Sequence, residues 1–360
     1  MKFQSLGVIS ALSSCLLLSA CAPDVEFMAA QDLSSLAGGG PNTVPGTKLQ
    51  AFSQNVEVKA NADIDILFVV DNSGSMAEEQ KNFSSKINGF MNIIKDANWH
   101  VALTTTDPRT TTPAPDKTAR AWGDGQFRPF DSDTGSLFVL KASQHSLNDA
   151  QTKLSAAINV GLLGDGSERA INSAYRAIER TANTPANQDF FREKSKLVVI
   201  AISDEDECSN GKCATTPEKS VPENLVKMVQ SRFGVDKVFM FNSIARAATD
   251  ANCKTAVLTP IYESMAKLTG GLMGSVCAAD YTSILTSMGV KTVELVKSIN
   301  LGCNPVDADK DGELDFALVD TKGQKVATGY SISGTTVTFA ANLPEGSYTA
   351  AYMCETLVPH

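Results

Sequence analysis

The chain has 360 residues, of which 43% are hydrophobic and 20% charged, so it holds material for a large core and a smaller one and is not the composition of a disordered protein. Its net charge of -9 and the absence of clustered Lys and Arg exclude a nucleic-acid partner, because phosphate binding relies on such clusters. Divalent cations or a basic surface are the company this balance favours.

Residues 1–20, MKFQSLGVISALSSCLLLSA, place Lys2 ahead of an apolar run too short to span a bilayer with margin, and read as an export signal outside the fold. The run ends in Leu18-Ser19-Ala20-Cys21, which resembles the lipobox of bacterial lipoproteins and implies cleavage before Cys21 with acylation of that residue. Residue 22 is Ala, not the Asp that in such lipoproteins favours the inner membrane. The expectation is therefore an outer-membrane lipoprotein, facing the periplasm or exposed at the cell surface. Segment 21–50, with AGGGPNTVPGTK, reads as a flexible tether of roughly 30 Å by random-coil scaling.

From 51 to 300, short apolar runs alternate with amphipathic segments, as strands joined by helices do in a mostly parallel sheet. The runs are IDILFVV (64–70), HVALTTT (100–106), SLFVLKA (136–142), KLVVIAI (196–202), KVFMFNSI (237–244) and GLMGSV (271–276), and their continuous apolar character predicts burial on both faces. Helical periods cover 77–96, 167–180, 222–233 and 280–299. In the first, Phe83, Ile87, Phe90, Met91 and Ile94 form one stripe toward the sheet. The fold class is thus α/β, a doubly wound and mostly parallel sheet, followed by a small all-β domain. The connection 107–135 has no period and is rich in Pro, Thr, Asp and Gly; loops of that length carry partner contacts or are surface excursions.

Ligands of open parallel sheets sit beyond the carboxyl ends of the strands. Asp71, Ser73 and Ser75 follow the first strand there, and their alternate spacing lets a turning loop aim three oxygens at one point. Oxygen ligands suit a hard cation such as Mg²⁺, and Asp204, directly after the strand 196–202, supplies a second carboxylate. Glu205, Asp206 and Glu207 read as a solvated acidic rim.

The Asp71-Asn72-Ser73-Gly74-Ser75 stretch resembles the Asp-x-Ser-x-Ser motif of von Willebrand factor A domains, and 51–300 is similar to exported lipoproteins of that superfamily in Gram-negative bacteria. There DNSGSM, a helix beginning EEQ, an FFREKSKLVVIAISDEDECS-like segment and a later Gly-Gly strand recur in the same order. The resemblance implies a metal ion-dependent adhesion site in which Asp71, Ser73, Ser75 and Asp204 hold the cation. Its middle-loop ligand is usually Thr; here the segment LLGDGSERAINS has none, so Asp165 or Ser167 takes that place. Ser167 would mimic the hydroxyl, whereas Asp165 would raise affinity and favour Ca²⁺ or Mn²⁺.

The eight cysteines comprise Cys15 in the signal, Cys21, and six more that an exported chain is expected to oxidise. Local pairing is the expectation: Cys208 with Cys213, Cys253 with Cys277, Cys303 with Cys354. Zinc at Cys208 and Cys213 is the weaker alternative, with no His nearby.

From 301 to 360 short strands are expected at 314–320, 324–332, 335–341 and 347–354, a unit marginal alone and helped by a disulfide. Its entry, Asp307 to Asp315, spaces carboxylates at alternate positions with Gly312 at the turn. An EF-hand would need Glu where Leu318 stands. A repeat-type calcium loop through Asp307, Asp309, Asp311 and Asp315 and a plain acidic turn both remain open.

The leading functional expectation is a tethered, non-enzymatic binding module whose metal captures a carboxylate or other oxygen group on a protein or cell-surface ligand. A metal-assisted hydrolase is the second, without a Gly-x-Ser-x-Gly elbow, a P-loop or a motif-placed histidine among His100, His145 and His360. An envelope scaffold with an idle metal motif is the third.

Overall fold

A computed structural model describes residues 47–58, 62–109, 123–132, 135–208, 217–326 and 329–357. The export signal, Cys21 and most of the tether lie outside these residues. None of the described helices is long and apolar enough to cross a membrane.

Six strands form the central sheet: β2 (Asp63–Val70), β3 (Asn98–Thr105), β4 (Leu140–Lys141), β5 (Lys196–Ile202), β6 (Phe239–Ala245) and β7 (Met273–Ser275). Their order is β4-β3-β2-β5-β6-β7, parallel throughout except for the antiparallel edge strand β4. β2 lies centrally, with Ile66 beside Val101 on one side and Val198 on the other.

Because side chains alternate across a strand, β2 feeds two cores. Ile64, Ile66, Phe68 and Val70 pack with Phe83, Ile87, Phe90 and Met91 of α1 (Ala77–Ile93), Leu154 of α2 (Leu147–Ile158) and Leu285 and Met288 of α7 (Thr282–Val296). Leu67 and Val69 pack on the other face with Ile171 and Ala174 of α3 (Ala170–Glu179), Leu225 and Val229 of α5 (Pro222–Phe233) and Tyr262 and Met265 of α6 (Pro260–Leu268). The helix-sandwiched, doubly wound α/β fold expected from the run-and-period pattern is the one observed. The predicted α1 stripe is fully buried, and Phe68 meets Phe83 and Phe90 edge-on at 5.8 and 5.9 Å between ring centroids.

Some elements differ from their sequence expectation. The run 136–142 yields only the two-residue β4, because Asp131 accepts hydrogen bonds from Ser136 N and Leu137 N and folds the run into a loop. The run 271–276 narrows to β7. α2, α4 (Pro185–Phe190) and α6 went unread, although α2 starts at a Ser146 side-chain cap and the other two at Pro in the first turn.

The largest correction concerns the front of the folded part. β1 (Thr47–Val58) pairs antiparallel with β12 (Gly346–Leu357) from Thr47 opposite Leu357 to Val58 opposite Gly346. Residues 47–50, read as tether, and 51–58, read as part of the α/β domain, thus belong to the small β unit. One-sided burial explains the miss: β1 alternates half-buried and exposed positions and lacks a continuous apolar run. β12 also pairs with β9 (Phe316–Asp320), while β8 (Ser298–Asn300), β11 (Thr336–Phe339) and β10 (Tyr330–Ser333) make a second small sheet. Val56, Ile299, Leu301, Phe316, Leu318, Val337, Phe339 and Tyr352 form the joint core. Lys196 Nζ donates to Ser298 O at 2.7 Å and Asn300 Nδ2 to Lys237 O at 3.1 Å, so this unit docks at the amino ends of the central strands. The opposite, carboxyl end is left to the loops.

Disulfides join Cys253 to Cys277 and Cys303 to Cys354. Cys208 is disulfide-bonded too, and Cys213, its expected partner, lies outside the described residues.

Candidate metal centre at the strand ends

Past β2 the chain keeps sheet-like hydrogen bonds for one more residue: Asp71 N donates to Ile202 O at 3.0 Å and Thr106 N to Val70 O at 3.3 Å. Asp71 is completely buried there. Its Oδ1 accepts from Ser73 N at 2.7 Å and its Oδ2 from Ser203 Oγ at 2.7 Å, which leaves no Lys or Arg among its hydrogen-bond partners. The Oγ atoms of Ser73 and Ser75 stand 3.1 Å apart.

The loop before α3 is laid over this turn. Gln80 Nε2 bridges Asp71 O at 2.8 Å and Gly161 O at 2.9 Å, and Gly164 N donates to Asn72 O at 2.7 Å. A Cβ at Gly164 would come within 2.4 Å of Asn72, so only glycine permits this approach. Asp107, fully buried after β3, braces the same loop: its Oδ2 accepts from Asp165 N at 3.3 Å, and its partner Arg109 donates through Nη2 to Leu163 O at 2.8 Å.

The two middle-loop candidates have different surroundings. Asp165 is half-buried, and its negative charge is one of those that raise the pKa of Arg109. Ser167 is completely buried and its Oγ has no hydrogen-bond partner. The next residue, Glu168, escaped the sequence reading because it was absorbed into the helix pattern. It is fully buried; its Oε2 accepts from Thr106 Oγ1, and its carboxyl is in hydrogen-bond contact with the Asp71 side chain. Asp204, half-buried, presents Oδ1 unpartnered, and Glu79 of α1 has an unpartnered buried Oε2. Buried oxygens of this kind carry the full desolvation penalty unless something supplies positive charge or protons.

Electrostatics agree. Burial first, and then the charge of Asp204, push the Asp71 carboxyl above the usual range, against hydrogen bonds from Ser203 and Ser73. Burial, then the charge of Asp71 and a hydrogen bond shared with its carboxyl, push Glu168 up to about 10, against the Thr106 hydrogen bond. Glu79 is raised by burial and by Asp204 and Glu78. A divalent cation would reverse each of these effects, and the donor set of carboxylates and hydroxyls suits a hard one.

The acidic rim needs correction. Asp206 and Glu207 are 8% and 2% exposed. Asp206 accepts from Ile261 N at 3.1 Å and Tyr262 N at 3.3 Å at the start of α6, and Glu207 accepts from Ile171 N at 2.9 Å and Asn172 N at 3.0 Å at the start of α3. Helix N-termini leave unpaired N–H groups that attract carboxylates, which draws these two side chains inward. Of the long connection, 110–122 and 133–134 lie outside the described residues. Its Asp124 binds Arg176 and Arg180 of the α3 end, and at Gly125, with φ +73°, a Cβ would lie 2.3 Å from Ala177 N.

Elsewhere, His100 sits at the amino end of β3 with Nδ1 3.3 Å from Phe190 O, and His145 contacts the Lys141 backbone; neither joins the strand-end oxygens. In the C-terminal unit, carboxylate oxygens of Asp307, Asp309 and Asp315 come within 4.8 Å of one another. Asp311 instead accepts from Glu313 N at 2.8 Å.

No protein-family model and no curated protein matches the chain. Among solved structures, a von Willebrand factor type A protein from Catenulispora acidiphila is 12% identical, with a TM-score of 0.37, covering 89% of this chain and 67% of that one. The pilus adhesin SpaC from Lactobacillus rhamnosus GG is 10% identical with a TM-score of 0.39, covering 89% of this chain and 44% of SpaC. The pilus adhesin RrgA from Streptococcus pneumoniae is 9% identical with a TM-score of 0.33, covering 89% and 60%. This chain thus spans between 44% and 67% of the lengths of those proteins. These likenesses are distant, and the fold assignment stands on the strand order of the chain itself.

Proposed function

We propose that the chain is a metal-dependent binding module: a divalent cation held at the strand ends by Asp71, Ser73, Ser75, Ser167 and Asp204 engages an oxygen group of a protein or cell-surface partner. The observation that carries this reading is the pair of buried, unpartnered oxygens, Ser167 Oγ and Asp204 Oδ1, near a fully buried Asp71 that has no basic side chain among its partners. A cation there would supply the missing charge and, with an open coordination position, a point of attachment. Ser167 is the better-placed middle-loop ligand, since the carboxylate of Asp165 already interacts with Arg109. Acylation at Cys21 would tether the module to the outer membrane and hold the site away from the lipid surface.

The test is calorimetric titration of Mg²⁺ and Mn²⁺ into the full chain in detergent, with Asp307→Asn and Asp309→Asn introduced throughout to silence the C-terminal carboxylates. Saturable binding that is lost in Ser73→Ala and in Asp204→Asn is the expected result and justifies a partner screen with and without metal. A folded chain that takes up no cation would leave the envelope-scaffold reading in its place.

A further inference from the structure

We propose that the junction between the small β unit and the amino ends of the central strands is a second binding site, independent of the cation, for a small apolar carboxylic acid. Its carboxylate sits on Lys196 and its hydrocarbon part in the cavity beside that residue. Lys196 opens β5, and its half-buried ammonium can donate three hydrogen bonds but finds one acceptor in the described chain, Ser298 O at 2.7 Å. No carboxylate of the described residues pairs with it directly, and Asp236 acts on it only through its field. Lys237, close enough for the two charges to repel, is satisfied by contrast: its Nζ donates to Arg192 O at 2.6 Å, Ser195 Oγ at 2.9 Å and Glu193 O at 3.2 Å. Burial holds both ammonium groups down to about 8, against Asp236 at Lys196 and against Asp65 at Lys237. An anion on Lys196 would take up its spare donors and offset both the burial and the repulsion.

The space beside Lys196 says what kind of anion fits. A cavity of about 110 Å³ lies against it, with apolar walls from Val58, Val296, Ile299, Phe339 and Leu343. A second cavity, of about 290 Å³ and lined by polar groups that include Gln54, Asn55 and Asn300, shares Lys196 with the first. Lys196 thus stands where an apolar hollow meets a polar one, an arrangement suited to a molecule with one charged end. Charge agrees: Lys194 and Lys297 join Lys196 on the apolar cavity. Of its two carboxylates, Asp63 is engaged by Arg192 and by Asn98 Nδ2 at 2.6 Å, and the exposed Glu57 accepts from Ser347 Oγ at 2.9 Å. Glu193 and Asp236 line the polar cavity alone, so the carboxylate belongs on the apolar side of Lys196. Size sets the rest: an apolar cavity of about 150 Å³ takes up benzene, so this smaller one admits a chain of about five carbons and no long acyl tail.

The experiment titrates hexanoate, hexan-1-ol and hexylammonium into the full chain in detergent, with detergent alone as the blank, and reads binding by saturation-transfer NMR and calorimetry. The expected result is saturable binding of hexanoate, weaker by about ten-fold or more for hexan-1-ol and absent for hexylammonium. Lys196→Met should lose about ten-fold or more of the hexanoate affinity. Leu343→Phe narrows the apolar cavity and leaves Lys196 and its bond to Ser298 in place, so it should weaken hexanoate too, and it decides the matter if Lys196→Met fails to fold. Ser73→Ala, at the other end of the sheet, should bind hexanoate as the unaltered chain does, which keeps this test separate from the cation reading. Equal binding of hexanoate and hexan-1-ol, hexanoate affinity unchanged in folded Lys196→Met or in Leu343→Phe, or no saturable uptake by the folded, unaltered chain would each overturn the proposal.

Discussion

Two carboxylates on one stretch of chain, Asp65 within β2 and Asp71 just past its end, are both completely buried, and the molecule treats them in opposite ways. At the amino end, Asp65 Oδ1 accepts from Arg192 Nε at 2.7 Å, its Oδ2 accepts from Arg192 N at 2.8 Å and from Ser195 Oγ, and Lys237 Nζ reaches Ser195 Oγ at 2.9 Å. At the carboxyl end, Asp71 receives only neutral donors and is surrounded by Glu168 and Asp204. A buried charge needs an opposite one. The chain supplies it to Asp65 from its own residues and gives Asp71 no basic side chain, so the proposed cation would do at one end of β2 what Arg192 does at the other.

Removing the internal cation gives the largest effect. In Arg192→Met, Asp65 is stranded in the core, and Arg192 Nη2 no longer satisfies Ile64 O and Asn98 O, each at 2.9 Å. The expected loss is about 3–5 kcal/mol in urea unfolding with the disulfides intact. A loss within ordinary surface-mutation range would mean that Asp65 does not depend on Arg192, and the contrast between the ends would fail.

A second prediction uses Glu207, a buried carboxylate with backbone donors and no basic partner at the start of α3. Burial pushes Glu207 up to about 7, against hydrogen bonds from Ile171, Ser220 and Asn172. The folded chain therefore binds this proton more tightly than the unfolded chain, so the stability it contributes is complete below about 4.5 and is lost as pH rises through about 7. Between pH 5 and pH 8 in chelator, Glu207 should account for on the order of 3 kcal/mol of declining stability. Thermal unfolding of Glu207→Gln should show a shallower slope across that window; an unchanged slope would place the titration elsewhere.

Much of this contrast was legible from residue order alone. The strands that are buried on both faces announced themselves as continuous apolar runs, and alternate Asp, Ser and Ser after the first of them announced oxygens aimed at one point. β1 was hidden because an edge strand with one half-buried face has no such run, and its partner lies almost the whole chain away at β12. Asp206 and Glu207 were misread because a string of acids looks solvated until the helix N-termini that draw two of them inward are in place. Glu168 was missed because it was read into the helix that begins at Ala170, and only the folded loop brings its carboxyl against Asp71.

The smallest expected effect is the sharpest test of the two ends. Asp71→Asn preserves shape: the amide oxygen still accepts from Ser73 N, and Ser203 Oγ, 2.9 Å from Glu205 O, can turn its proton there and accept from the new amide. In chelator at pH 8 the substitution removes a charge that burial and Asp204 oppose, so the metal-free chain should gain about 1 kcal/mol. Burial raises the Asp65 carboxyl too, against Arg192 and Lys237, but Asp65→Asn leaves the Arg192 guanidinium without its carboxylate and should lose stability under the same conditions. With Asp307→Asn and Asp309→Asn introduced in both, added Mg²⁺ should then raise the melting temperature of the otherwise unaltered chain and not that of Asp71→Asn, since a ligand stabilises only a folded state that binds it. If Asp71→Asn instead destabilised the metal-free chain as Asp65→Asn does, Asp71 would already be compensated from within, and no cation would be needed to explain the oxygens around it.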